Sequence, residues 1–152
     1  MGGGDFWEKA VAAAQRLGHR ALLVTGPQVP GSLPAGARAY EYLPYSLVFP
    51  RALVVVHQAA IGTLAQALRS GRPQLLLPVE FDQPDNARRT VALGVGRALP
   101  FGMATAGRLV RELGEILGDS GYAVKAWALA EELGKSDGAA CAAQELAPVL
   151  GE

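Results

Sequence analysis

A histidine and a Gly-Thr pair stand where an apolar run gives way to a predicted helix. The run 53–56 ends at His57, and Gly62 and Thr63 begin a helix predicted over 61–70. A β-branched run of this kind is typical of a buried strand in a parallel sheet. Because free backbone N–H groups and the positive end of the helix dipole meet at a helix N-terminus, this junction favours phosphate binding.

A carboxylate and an amide follow the next predicted strand. That strand covers 74–79, and Asp82 and Gln83 lie past its carboxyl end. Ligands of open α/β sheets bind at the carboxyl ends of the strands, so this pair is predicted to share a site with His57. A carboxylate and an amide together supply the donors and acceptors that vicinal hydroxyls require. The sequence therefore predicts a phosphate-linked polyhydroxyl ligand.

These junctions belong to a chain in which strands and helices alternate. Strands are predicted over 21–25, 39–43, 53–57, 74–79 and 97–100, and helices over 6–17, 61–70, 84–93, 104–117, 122–133 and 139–150. This order predicts an α/β fold with a Rossmann-like, doubly wound parallel sheet. The 152 residues are the length of a single domain, 1–152, with a helical C-terminal part over 104–150. A dinucleotide site is disfavoured because no G-x-G-x-x-G follows a strand.

Composition narrows the class of protein. The formal net charge is zero, with 14 basic and 14 acidic residues, which does not favour nucleic acid as a partner. No apolar run approaches the roughly 20 residues of a membrane helix, and no signal peptide is recognisable, so we expect a soluble cytoplasmic protein. The single cysteine, Cys141, fits a reducing compartment and is expected to be buried. Trp7 and Trp127 are expected to pack on the sheet, and no metal site is expected.

Several separated motifs occur in a specific order along nearly the whole chain. They are Tyr42-Leu43-Pro44, the apolar run 53–56, the segment 57–63, the helix 65–70, Gly71-Arg72-Pro73, the apolar run 75–78 and Asp82-Gln83-Pro84. This series resembles the C-terminal, donor-binding domain of GT-B glycosyltransferases. That family includes UDP-glucuronosyl-, sterol glucosyl- and macrolide glycosyltransferases.

The resemblance implies a role for each matching residue. His57, Gly62 and Thr63 would bind the diphosphate of the donor. Asp82 and Gln83 would bond the hydroxyls of the transferred sugar.

The resemblance also implies a reaction. An inverting enzyme of this family transfers a hexose from a UDP- or dTDP-sugar to an acceptor hydroxyl and needs no cofactor. Tyr42 would stack on the base of the donor. The catalytic base and the acceptor pocket belong to an N-terminal domain, so no catalytic residue is expected in this chain. The base, the sugar and the acceptor all stay open.

Three residues depart from the family pattern. Gln58 replaces a second histidine, and Ala59 and Ala60 replace glycines where the backbone approaches the ligand. The two methyl groups would either displace the diphosphate slightly or abolish its binding. The alternative functions are therefore a degenerate non-catalytic module, or a donor subunit that needs a separate acceptor-domain chain. A nucleotide-sugar epimerase, which shares the fold, is a further enzyme alternative.

The resemblance also indicates a missing strand. The family's domain begins with an apolar strand near the centre of the sheet, and residues 1–4 stand in its place here. The absent strand would lie between the strands predicted over 21–25 and 53–57. Because buried backbone groups are rarely left unpaired, we expect these two strands to pair directly or the chain to form a homo-oligomer or bind a partner chain.

Overall fold

A computed structural model describes residues 5–135 and 137–150. Its helices are α1 (Phe6–Arg16), α2 (Tyr45–Val48), α3 (Ile61–Arg69), α4 (Gln83–Ala92), α5 (Ala106–Gly118), α6 (Ser120–Gly134) and α7 (Gly138–Leu150). Its strands are β1 (Ala21–Val24), β2 (Ala37–Tyr40), β3 (Val55–His57), β4 (Gln74–Leu76) and β5 (Gly96–Ala98). Short 3-10 helices cover Phe49–Arg51 and Phe101–Met103. The expectation concerning residues 1–4 lies outside the described residues.

The strands pair in parallel, as predicted, but in two separate sheets. β1 pairs with β2, and the second sheet has the order β3-β4-β5. The expected direct pairing of β1 with β3 is therefore wrong for the described residues. Each of these two strands has a ladder on one side only in this part of the chain.

Helix α1 packs against both sheets. Val11 contacts the cluster of Leu23 and Ala37 over the two-stranded sheet. Ala13 belongs instead to the main core cluster with Leu75 of the three-stranded sheet. Positions two apart on a helix differ by about 200° around its axis, so α1 presents opposite flanks to the two sheets. The helix thus occupies a position between the sheets that is consistent with their separation.

The three-stranded sheet is covered on both faces. Along β4 and just beyond it, Leu75 and Leu77 enter the main core cluster with α5. Leu76 enters a second cluster with Leu64 of α3 and Ala87 of α4. Alternate residues of a strand point to opposite faces, so helices lie on both sides of β4. This arrangement confirms the predicted α/β class and explains why every residue of β4 is buried.

The open edges of β1 and β3 lead to a prediction of self-association. Leu22 of β1 is 49% exposed and Val56 of β3 is 41% exposed. Unpaired strand edges with apolar side chains favour pairing with another chain. We expect the purified chain to associate as its concentration rises in sedimentation velocity, and Leu22→Lys to suppress this. Val124→Lys, on the exposed surface of α6, is the control, and a monomer at all concentrations would contradict the expectation.

A buried carboxylate joins α5 to β5. Glu112 accepts from Arg97 Nε at 2.6 Å through Oε2 and from Arg111 Nη2 at 2.6 Å through Oε1. Burial favours the neutral acid, but the hydrogen bonds from Arg111 and Arg97 outweigh it and lower the pKa of Glu112. The folded state therefore holds the charged form more strongly than the unfolded state does.

We expect Glu112→Gln to lower the free energy of unfolding by about 1–3 kcal/mol, because it removes charge-assisted hydrogen bonds to a buried group. The lowered pKa means that this stabilisation is present above the ordinary value of 4.5 and is lost as the pH falls through the folded-state pKa. Urea unfolding from pH 7 to pH 3 measures both effects. Glu115→Gln, an exposed carboxylate on the same helix, is the control. Parallel pH profiles for Glu112→Gln and the native chain would contradict the assignment.

Two side chains expected in the interior lie on the surface. Cys141 is exposed, and from 138 to 149 no side chain of α7 is buried. Trp127 of α6 is 63% exposed. The alanines around Cys141 reflect the high helix propensity of alanine and not burial of the segment. The sequence pattern alone does not distinguish these two causes. Within the described residues, no helix is long and apolar enough to cross a membrane.

Candidate functional site

The ring of His57 is bonded through both of its nitrogens. Nδ1 accepts from the Ala59 N–H at 3.1 Å, and Nε2 lies 2.9 Å from Gln74 Oε1. An acceptor Nδ1 carries no proton, so the hydrogen of the neutral ring is on Nε2 and is donated to Gln74. Burial lowers the pKa of His57, and the bond to Gln74 only partly offsets this. The ring is therefore neutral at pH 7.

Ala59 has a conformation that normally favours glycine. Its φ is 67°, in the left-handed region, and its methyl group is fully buried with Leu64, Leu76 and Ala87. The methyl group of Ala59 consequently packs in the core and does not stand in the way of a ligand. Ala60, the other replaced glycine, has φ −62° and ψ 136°, which any residue adopts.

The N-terminus of α3 presents backbone donors to open space. Ala60 is the N-cap, and its methyl side chain makes no capping hydrogen bond. The first N–H groups of an α-helix lack partners within the helix, so those of residues 61–63 are available in this turn. Gly62 is exposed, and a Cβ built on it would meet no atom within 4 Å. Thr63 is half-buried beside it. This geometry suits an anion that approaches along the helix axis.

Asn86 connects the two predicted halves of the site. Its Nδ2 donates to Ala59 O at 2.9 Å and to Asp82 Oδ2 at 2.7 Å. The strand-to-helix junction after β3 and the loop after β4 are thereby brought together. Asn86 was not assigned to the site in the sequence analysis. The signal was present, because Asn86 lies four residues after Asp82 and so on the same helix face.

Gln83 and Phe81 shape the loop after β4 in different ways. Gln83 is buried, and its Oε1 accepts from the Val79 N–H at 2.9 Å. Its amide oxygen therefore holds the loop closed in this structure. Phe81 has φ 58°, and its ring is 86% exposed. A left-handed conformation is strained for an aromatic residue, and no local sequence signal indicates it here.

Tyr42 lies apart from this group in the topology. It follows β2 of the two-stranded sheet, whereas the other site residues follow β3 and β4. Its side chain is 76% exposed. In the described part of the chain, no cluster of His, Cys, Asp or Glu could hold a metal ion.

Comparison with known proteins decides the family. The model of the erythromycin biosynthesis protein CIII-like C-terminal domain matches residues 21–150. The chain belongs to this family. Among curated relatives of this CIII-like domain, O-mycaminosyltylonolide 6-deoxyallosyltransferase of Streptomyces fradiae is 37% identical over 132 residues, which are 86% of this chain and 31% of that protein. An uncharacterized glycosyltransferase of Mycobacterium bovis is 34% identical over 137 residues, 89% of this chain and 33% of that protein.

Solved structures agree with this assignment. Spinosyn rhamnosyltransferase complexed with thymidine diphosphate is 32% identical to the CIII-like domain, with a TM-score of 0.81 over 96% of this chain and 40% of that one. Spinosyn forosaminyltransferase, at 23% identity, shares the fold with a TM-score of 0.83 over 97% of this chain and 38% of that one. The fold is the C-terminal half of GT-B, as the resemblance predicted. The chain spans about a third of the length of the curated relatives it matches.

Proposed function

We propose that this CIII-like domain binds the nucleotide-sugar donor of a glycosyltransferase, as a UDP- or dTDP-sugar. The observation that carries the proposal is the pair of hydrogen bonds from Asn86, to Ala59 O and to Asp82 Oδ2, which hold Asp82 beside the N-terminus of α3. A diphosphate and a sugar are adjacent in such a donor, so one ligand would span both positions.

The diphosphate would lie at the N-terminus of α3. There the N–H groups of residues 61–63 and the helix dipole favour its negative charge, and Gly62 leaves room for its oxygens. The same donors would stabilise the charge that develops on the leaving nucleoside diphosphate. The Asp82 carboxylate would accept from a sugar hydroxyl, with Gln83 beside it, and Tyr42 would stack on the base.

The complete reaction would need residues outside this chain. We propose an inverting transfer of a hexose to an acceptor hydroxyl, with the acceptor pocket and the catalytic base supplied by an N-terminal domain or a partner subunit. The chain alone would then bind the donor without transferring its sugar. Thymidine diphosphate is the first ligand to test, because it is bound in similar solved structures that include spinosyn rhamnosyltransferase and the glycosyltransferase VinC.

Titration calorimetry of the purified chain with dTDP and UDP tests the proposal. We expect saturable one-to-one binding of at least one of them and weaker binding of the matching monophosphate, which lacks the second phosphate group. Failure of both diphosphates to bind would favour a degenerate non-catalytic module. Conversion of the sugar of a bound nucleotide-sugar by the chain alone, followed by NMR, would favour an epimerase instead.

A further inference from the structure

We propose that His57 positions the phosphate-binding turn through a hydrogen-bonded bridge and does not itself bond the diphosphate, and that Gln74 is the positioning residue that orients it. We call the two contacts of the ring, to Ala59 N–H and to Gln74 Oε1, the His57 bridge. The inference rests on the proposed donor function and assigns a different role to His57 from the one that the resemblance implied.

The first argument is that the ring has no nitrogen left for a ligand. Nδ1 already accepts from Ala59, and Nε2 already donates to Gln74. A phosphate oxygen could accept a hydrogen bond from Nε2–H only by displacing Gln74 Oε1. Because Gln74 is fully buried, the displaced oxygen would be left without a donor in a site that water does not reach.

The second argument concerns the presence of a glutamine in this strand. Gln74 begins β4, where Leu75 and Leu76 follow, and all three are fully buried. Its Nε2 is buried and has no hydrogen-bond partner among the described residues. A buried amide with an unpaired donor destabilises a core strand, whereas an apolar side chain would not. The contact with His57 accounts for a polar residue at this position.

The orientation of the amide follows from the same chain of bonds. Since Ala59 N–H fixes Nδ1 as an acceptor, Nε2 must be a donor. A Gln74 amide turned by 180° would set its own N–H groups against that donor. Each group of the His57 bridge thus determines the next one, from the backbone of Ala59 to the side chain of Gln74.

The third argument concerns what the bridge holds. Ala59 has its N–H bonded to His57 and its C=O bonded to Asn86, so both polar groups of this left-handed residue are fixed. An alanine released from these bonds would favour a negative φ. That change would redirect the turn into α3, and with it the N–H groups of residues 61–63.

NMR of the histidine rings tests the bridge directly. The chain has two histidines, and His19 is exposed, so it serves as the internal reference. We expect long-range ¹H–¹⁵N spectra at pH 7 to show His57 with its hydrogen on Nε2 and an unprotonated Nδ1. On saturation with dTDP the amides of residues 60–63 should shift while both His57 ring nitrogens keep their state. An Nδ1–H ring in the free chain, or protonation of the ring by dTDP, would overturn the proposal.

Substitution of Gln74 tests the positioning role. We expect Gln74→Leu to fold, to leave the Nε2–H of His57 without its acceptor, to speed the exchange of the Ala59 amide and to weaken dTDP binding roughly fivefold to tenfold. Gln74→Glu keeps an acceptor oxygen for Nε2–H and should keep the exchange of the Ala59 amide slow. Gln66→Leu, on the exposed face of α3, is the matched control and should change none of these.

The two hypotheses fail in different ways. A Gln74→Leu chain that keeps the slow exchange of the Ala59 amide and the native dTDP affinity overturns the positioning role while leaving donor binding intact. A native chain that binds neither dTDP nor UDP overturns the donor function. In that case, an Nε2–H ring and slow exchange of the Ala59 amide would still support the His57 bridge as a structural element. If both are missing, the His57 bridge is overturned together with the donor function.

Discussion

Gly62→Ala is expected to weaken dTDP or UDP binding by roughly tenfold or more while leaving the fold intact. A Cβ at residue 62 meets no protein atom within 4 Å, so the methyl group would enter the space assigned to the phosphate. Alanine is a better helix former than glycine by up to about 1 kcal/mol, so the variant should unfold at a slightly higher temperature. Calorimetric titration and thermal unfolding measure the two effects, which have opposite signs.

The chain offers a close control for this substitution. Gly107 is the second residue of α5, as Gly62 is of α3, and a Cβ there also meets nothing within 4 Å. Gly107→Ala should therefore raise stability to a similar extent without changing nucleotide affinity. Equal affinities for the native chain and Gly62→Ala would show that no phosphate oxygen occupies the space beside Gly62.

Asn86→Ala should affect both stability and binding. The substitution removes the bonds to Ala59 O and Asp82 Oδ2, and it leaves the carbonyl of a fully buried residue without that donor. We expect the free energy of unfolding to fall by about 1–3 kcal/mol. Since the two hydrogen bonds of Asn86 align the two halves of the site, nucleotide-sugar affinity should fall roughly tenfold. Urea unfolding and titration calorimetry measure these quantities.

A substitution of the neighbouring residue, Asp85, distinguishes an effect on the site from an effect on the exposed surface of α4. Asp85 is bonded to Arg88 and Arg89 on the exposed side of α4. Asp85→Asn removes these exposed ion pairs and should change stability by less than about 1 kcal/mol, with no change in affinity. If Asp85→Asn and Asn86→Ala weaken binding equally, the loss of affinity comes from a general change in α4 and not from the loss of the Asn86 hydrogen bonds.

Much of the fold could be predicted from the sequence because local patterns specify it. The helix predicted over 61–70 is observed as α3 (Ile61–Arg69), since its apolar spacing and the glycine after it are local signals. Strand ends were less predictable. The strand predicted over 39–43 is β2 (Ala37–Tyr40), because its position is set by pairing with β1, where Ala21 lies opposite Ala37. Such a register depends on a partner strand and is not encoded in one segment.

The neighbouring positions of the candidate residues could be predicted from the sequence, but the hydrogen bonds between them could not. Parallel strands deliver their carboxyl ends to one edge, which is why His57 and Asp82 could be assigned to the same region. The contact between His57 and Gln74 joins residues 17 positions apart, and only the three-dimensional register of β3 against β4 reveals it. The positive φ of Ala59 was likewise hidden, because alanine gives no signal for that conformation.

The position of α1 has a consequence for the order in which the chain opens. The two-stranded sheet has a small apolar cluster of its own, built from Val11, Leu23 and Ala37. The main core cluster lies between α5 and the three-stranded sheet, and α1 contributes Ala13 to it. A region with little buried apolar surface opens at a lower free energy than the core. Amide hydrogens of β1 and β2 should therefore exchange with solvent through a partial unfolding that leaves β3, β4 and the candidate site protected.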